Sequence, residues 1–397
     1  MSPVLPFDII PLIIDIVGEN EDTDLLKELA LVSHCFLQIC SKHLFATVEL
    51  HDAAPRHHVA SSKKGFVKLL KSRPEVVKYI RKLTYNVPPY NNTDDHLLSP
   101  ILFNLLPTFS HLNSLSINTS HRDWNTLDAS LISALLHLIH LPTINHIDLS
   151  CIQNFPLSSL TPSVNLLRLD IYYLCRSNPL EEDGSPELVV QSEMMPKIRE
   201  FYTSSSSLLT TKLLHAKRSD GQPAFNFVDL RRLSIFFTWA EDEQNIRYLL
   251  QNAKVLEKLH LSVVYGRSLV GLLSLSARTL KVLDLSVSLW EHPLFLEGIC
   301  EELEALAGHN MLEALSFVLH VGVNDTEDFI GSIIQKVGNV LVKSGWFALR
   351  QVSFKLPLAR FRNSRQLCEA LQSIPDKYLS HLSKLKSIAF DYTAYVV

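Results

Sequence analysis

One short pattern, apolar-x-x-apolar-x-apolar, recurs eleven times between residues 80 and 390, and it limits what this chain can fold into more than any other feature. The copies are Ile80-Leu83-Tyr85, Leu112-Leu115-Ile117, Ile144-Ile147-Leu149, Val164-Leu167-Leu169, Ile198-Phe201-Thr203, Leu230-Leu233-Ile235, Leu256-Leu259-Leu261, Leu280-Leu283-Leu285, Leu312-Leu315-Phe317, Leu349-Val352-Phe354 and Leu385-Ile388-Phe390. Their last two positions are two residues apart, the period of a strand with one face buried. Successive copies lie 20 to 37 residues apart, with a mean of 30.5. Helical patterns fill the intervals at 94–106, 127–141, 242–253, 268–275, 294–307, 326–342 and 364–371. A strand followed by a helix at a short, repeated period requires parallel pairing with crossover connections.

The expected fold class is therefore α/β, a solenoid whose curved parallel sheet carries helices on one face, over residues 76–397. The strand pattern resembles that of leucine-rich repeats, in a degenerate form with irregular spacing and no asparagine turn. A doubly wound α/β domain also alternates strands and helices, but it does not repeat one register eleven times. Two segments rich in Ser, Pro, Glu and Asp, 177–196 and 204–223, are expected to be mobile insertions.

The residue between the last two apolar positions of each copy faces away from the helices. Along the array this row and the outward row beside it carry an aromatic and basic mixture only in the middle. Arg168, Tyr202, Arg232, Phe236 and His260 are the candidate substrate-binding residues, because aromatic and arginine anchors dominate contact centres. The competing reading is that the two insertions cover these aromatics.

The first fifty residues carry a different pattern. Ile9, Ile10, Ile13, Ile14, Ile16 and Val17 define a short helix that ends near Gly18. A second helix is expected behind Asp24 as N-cap, with Leu25, Leu26, Leu29, Val32, Phe36 and Leu37 on one side, followed by an apolar end over 41–50. Such a stripe also suits a helical cap closing a repeat array.

In order, Leu5-Pro6-Phe7-Asp8-Ile9-Ile10, Ile13, Val17, Asp24-Leu25-Leu26, Leu29-Ala30-Leu31-Val32-Ser33, Phe36 and Leu44-Phe45 resemble the F-box of fungal, basidiomycete-type proteins. Phe36 stands where many members have tryptophan, and Asp8 where glutamate is commoner. The resemblance covers about a tenth of the chain. It implies a helical F-box at 1–50, joined by a connecting helix at 51–75 to the repeats, that binds a Skp-family adaptor of a cullin-RING ubiquitin ligase. Leu5, Pro6, Ile9, Ile10, Ile13, Leu26, Leu29 and Val32 would be the adaptor-binding residues. The chain would then be the substrate-recognition subunit, holding an unidentified protein substrate on its repeat sheet. The alternative is an F-box and repeat scaffold without ligase function.

The residues give no support for chemistry of the chain's own. No phosphate-binding glycine loop, nucleophile elbow or zinc-protease motif occurs, so no catalytic residue, no metal site and no cofactor is expected. His137 and His140 lie three apart on one helix, but no carboxylate or cysteine joins them. The six cysteines form no CxxC pair and read as reduced thiols. With 37 basic and 41 acidic residues, the formal charge of -4 recruits neither nucleic acid nor an anionic membrane. The start of the sequence lacks the basic and long apolar segments of a secretory signal, and the longest apolar run, 131–141, is too short to span a bilayer. The expectation is an intracellular protein, cytoplasmic or nuclear.

Overall fold

A computed structural model describes residues 9–20, 22–51, 61–87, 109–173, 189–190, 195–204, 206–237, 240–263, 271–288, 295–322, 325–343, 345–360, 364–380 and 388–397. They belong to two compact units, Met1–Pro196 and Lys197–Val397. Each is a mixed α/β unit built on a parallel sheet.

The N-terminal unit opens with three helices, α1 (Ile9–Glu19), α2 (Thr23–Ala30) and α3 (His34–Leu44). The single second helix expected from the sequence is thus two helices. Ser33 breaks it, because its side chain accepts from the Phe36 N–H at 3.3 Å and starts a new helix. The N-cap of α2 is Asp22, which accepts from Leu25 N–H at 3.1 Å, while Asp24 pairs with Lys27 in the first turn. Ile14, Leu26 and Cys40, one from each helix, form a small core with Ile10, Val17, Leu29, Phe36 and Ile39 packed around it. Gly18 permits the close approach of α1 to α3, since a Cβ there would sit 2.2 Å from Nδ1 of His43.

At the same crossing, Asp15 receives Lys42 Nζ at 2.5 Å and His43 Nε2 at 2.7 Å. These two hydrogen bonds, Lys42 first, hold the Asp15 carboxyl below its ordinary 3.8 against the opposing effect of burial. A depressed carboxylate contributes stability above its unfolded pKa and loses it as pH falls through the folded value. Thermal melts should therefore show Asp15→Asn as less stable than the parent at pH 6, with the gap closing as pH falls well below 3.8. A gap unchanged into acid would sink this account.

Strand β1 (Thr47–His51) follows α3 directly. The sheet thus begins within the segment expected to complete the helical module, because Val48 and Leu50 alternate inward and pair with Leu83 and Tyr85. Ser61–Ser62 (β2) adds on its far side, α4 (Lys63–Ser72) follows, and β3 (Lys82–Asn86), β4 (Ser114–Asp123), β5 (His146–Gln153) and β6 (Arg168–Tyr172) extend the sheet in chain order. Helix α5 (Ala129–Ile139) buries Leu131, Ala134, Leu135, Leu138 and Ile139.

Among the described residues, the main sheet of the C-terminal unit has seven parallel strands in chain order. They are β7 (Glu200–Ser204), β8 (Arg232–Phe237), β9 (Lys258–Val263), β10 (Val282–Ser288), β11 (Ala314–His320), β12 (Gln351–Leu358) and β13 (Ala389–Val396). Between them run α6 (Ser207–Leu214), α7 (Ala240–Asn252), α8 (Phe295–Leu306), α9 (Glu327–Leu341), α10 (Ser364–Leu371) and α11 (Ile374–Tyr378). The apolar positions of the strands are the core: Leu233, Leu259, Leu261, Leu283, Leu285, Phe317 and Phe354 are 0 to 1% exposed.

All eleven expected strands occur, nine of them in the register of the pattern. The other two are shifted by two residues. Ile147 pairs with Leu169 and Leu149 with Ile171, so the buried copy is Leu166-Leu169-Ile171 and Asp170, not Arg168, stands opposite Asp148. Likewise Val352 pairs with Phe390 and Phe354 with Tyr392.

Within the expected insertion 204–223 the described residues include helix α6. Leu209, Leu213 and Leu214 are buried, and Thr203 and Thr210 share a hydroxyl hydrogen bond of 3.0 Å. Most of 177–196, the expected helix 94–106, and Leu5 and Pro6 lie outside the described residues. The expected helix 268–275 is represented by a short 3-10 turn, Leu273–Ser276.

That turn is held by Glu302 of α8. The carboxylate is 2% exposed, accepts from Leu273 N–H at 2.9 Å and also accepts from Gly271 N–H, where φ is +78°. A buried anion on otherwise orphaned N–H groups acts as a cap supplied in trans. Glu302→Ala leaves those donors unmet, so urea unfolding should show a loss of about 1–3 kcal/mol. Unchanged stability would show that water replaces the carboxylate without cost.

Candidate functional site

Two surfaces carry the residues expected to bind partners. The first is α1, whose apolar residues fall on two faces. Ile10, Ile14 and Val17 turn inward to the three-helix core. Ile9, Leu12, Ile13 and Ile16 repeat at i, i+3, i+4 and i+7 and turn outward, with exposures of 38, 62, 43 and 59%. Leu31 and Val32, at the break between α2 and α3, are 88 and 65% exposed.

Among the expected adaptor-binding residues, Ile9, Ile13 and Val32 are thus on the surface, and Ile10 and Leu29 are half-buried against the core. Leu26 is corrected: it is 1% exposed and fills the module's centre, so it supports the surface instead of forming it. Leu12 and Ile16 were not among the expected anchors, because α1 is apolar on so much of its circumference that spacing alone does not separate its two faces.

The second surface is the polar face of each sheet. In the N-terminal unit it is a closed hydrogen-bond network. Arg168 grips Asp170 through Nε at 3.0 Å to Oδ1 and Nη2 at 2.8 Å to Oδ2. His146 Nε2 meets the same carboxylate at 3.1 Å, and its Nδ1 meets Ser114 Oγ at 2.9 Å. Ser114, His146 and Asp170 are the residue types of a hydrolytic triad. Here, however, the carboxylate is neutralised by Arg168, Ser114 is 7% exposed, and the neighbouring N–H groups of Ser114 and His146 are engaged in strand pairing. The trio is a cross-strand tie. Arg168 belongs to that tie: it holds Asp170 while its own side chain stays 37% exposed.

His137 and His140 are also accounted for, with ring nitrogens 2.8 Å from Ser133 O and 2.7 Å from Ser159 O. No cluster of three metal-ligating side chains exists among the described residues. No helix among them is long and apolar enough to cross a membrane.

In the C-terminal unit the register brings Tyr202, Ser234, His260 and Asp284 side by side on β7 to β10. One step earlier on the strands stand Glu200, Arg232 and Lys258. Together Tyr202, Arg232, Leu233, Ser234, Lys258, His260 and Asp284 line a depression of about 250 Å³. Arg232 reaches Glu200 at 3.1 Å, and Lys258 reaches Asp284 at 3.1 Å. Burial holds the His260 imidazole below its usual value, opposed by Asp284 and reinforced by Lys258.

Three of the expected substrate residues, Tyr202, Arg232 and His260, therefore meet in one place. Phe236 is half-buried one outward step further along β8, between Ser204 and Ser262, and does not line the depression. Lys258 and Asp284 complete the site. The signal for them was present in the sequence, since they stand on the same two outward rows.

No family model and no curated protein matches the sequence. Among solved structures the chain is similar to a Bacteroides fragilis protein at 11% identity, over 83% of this chain and 80% of that one, with a TM-score of 0.36.

Proposed function

We propose that the chain is the substrate-recognition subunit of a Skp–cullin–F-box ubiquitin ligase. The helical module grips a Skp-family adaptor, and the repeat sheet presents a protein substrate. One observation carries this reading: the outward stripe Ile9, Leu12, Ile13 and Ile16 lies on a helix whose other face already fills a core. Four large aliphatic side chains in helical register, each 38 to 62% exposed, cost solubility in the isolated chain, whereas an adaptor would bury them further. The F-box-like order of residues around this stripe supplies the identity of the partner.

In this reading the protein performs no covalent chemistry. It raises the local concentration of substrate lysines near the ligase's conjugating enzyme, which is an effective-molarity mechanism. The test is to mix the full chain with a purified Skp-family adaptor and follow size-exclusion elution. A stoichiometric complex supports the reading, and separate elution at micromolar concentrations overturns it.

A further inference from the structure

The sheet of the C-terminal unit sets two cations side by side. Arg232 and Lys258 are register partners on adjacent parallel strands. Like charges directly opposed across strands are destabilising. Each escapes by leaning outward to a carboxylate, Arg232 to Glu200 and Lys258 to Asp284, and the depression opens where they part. Ser234, small and central, lies between its register neighbours Tyr202 and His260.

Arg232 and Lys258 are about half exposed, at 57 and 48% of their side chains. A guanidinium has five N–H groups and an ammonium three, so an ion pair to one carboxylate each does not use all of these donors. The Ser234 hydroxyl adds another. The surface therefore offers several N–H and O–H donors to an anion that enters it.

We propose that this depression receives a carboxylate side chain, aspartate or glutamate, presented by a partner protein. The inference rests on the proposed role of the sheet as the substrate surface and names the feature that surface reads. A monoanion suits the site better than a phosphate dianion. Glu200 and Asp284 already offset both cations, and a second negative charge would face them across short distances.

His260 gives the site a pH dependence. Its neighbours in this region are Tyr202, Arg232, Lys258 and Asp284, and burial keeps it neutral near pH 7. An anion bound beside it favours the imidazolium, so binding takes up a proton and tightens as pH falls.

The probe is a set of immobilised 12-residue peptide pools, randomised except for a central Glu, Asp, Gln or phosphoserine, exposed to the labelled full chain. The Glu and Asp pools should retain at least tenfold more protein than the Gln pool, and more at pH 6 than at pH 8. The double variant Arg232→Gln/Lys258→Gln should lose that preference while melting as the parent does. Lys355→Gln, which removes an exposed positive charge from the polar face of β12, should keep it.

Equal retention on Glu and Gln pools, including no retention on either, overturns the proposal. So does a preference for phosphoserine, or an equal loss in Lys355→Gln. The adaptor reading fails separately, because adaptor co-elution should be unaffected by Arg232→Gln/Lys258→Gln and peptide selection should be unaffected by changes on α1.

Discussion

Replacing Leu12 and Ile16 together by aspartate is expected to abolish co-elution with the Skp-family adaptor, weakening association by about a thousandfold or more. Burying one leucine or isoleucine side chain stabilises a contact by about 1.5–3 kcal/mol, so losing two removes at least ~3 kcal/mol. Forcing two unpaired carboxylates into the interface adds a desolvation cost, and each 1.4 kcal/mol is tenfold in affinity. The fold should be spared. Both positions are more than half exposed, at 62 and 59%, and neither joins the core of Ile14, Leu26 and Cys40. Leu26→Asp supplies the contrast, because it should unfold the three-helix module and lose binding by that route. Wild-type affinity in the Leu12→Asp/Ile16→Asp variant would remove α1 from the interface. A cooperative melt matching the parent's is the control that separates lost contact from lost structure.

The largest stability effect is expected at Phe317. Its ring stacks on Phe354 of the neighbouring strand at 4.9 Å and 12°, and Phe354 meets Phe390 of the next strand, one inward step away in register, at 6.2 Å, so the rings of three adjacent strands are in contact. Phe317 and Phe354 are both fully buried. Phe317→Ala should cost about 3–5 kcal/mol, through lost transfer energy and a cavity that a dense sheet–helix interface does not collapse. Calorimetry should place the transition of the C-terminal unit roughly 10 °C lower. Phe347, 86% exposed, is the matched control, and its alanine variant should stay within about 0.5 kcal/mol of the parent. Similar losses for the two variants would mean that burial does not set the cost here.

The strands were legible because their signal is local. Two apolar residues two apart, flanked by polar ones, specify one buried face wherever the chain is placed in the sheet. The register slips arose where two readings overlap. Leu166, Leu167, Leu169 and Ile171 satisfy the pattern at both phases, and the choice is made by Asp170, whose partners Arg168 and His146 come from its own and the adjacent strand. At the C-terminal end, Tyr392 serves a core position through a hydroxyl that donates to Leu371 O at 2.8 Å, which no apolar template includes. Strand β1 escaped because its copy of the pattern, Phe45-Val48-Leu50, lies inside the segment read as the apolar end of the helical module.

Helix α6 was hidden by composition. Its serines and threonines read as a loop, although Leu209 and Leu213 fall at helical spacing and are buried. The candidate sites were legible in part for the same reason. Outward rows follow from strand period, so Tyr202, Arg232 and His260 could be placed together. The fate of Arg168 depended on which carboxylate it faces, and that of Leu26 on which side of a three-helix core it occupies. Both are properties of tertiary pairing, to which a single segment's spacing is blind.

In the main sheet of the C-terminal unit the described strands follow one another in chain order, each bonded to the one before and the one after. Such a sheet can be edited like a text. Excising residues 259–282 would join Lys258 to Leu283 in phase, because Leu259 and Leu283 are register equivalents. Asp284 would then occupy the column of His260 beside Ser234, exchanging a neutral ring for a carboxylate in one event. Duplication or loss of a whole strand–helix unit would thus change the outward face of the sheet in one event while keeping the strands in register.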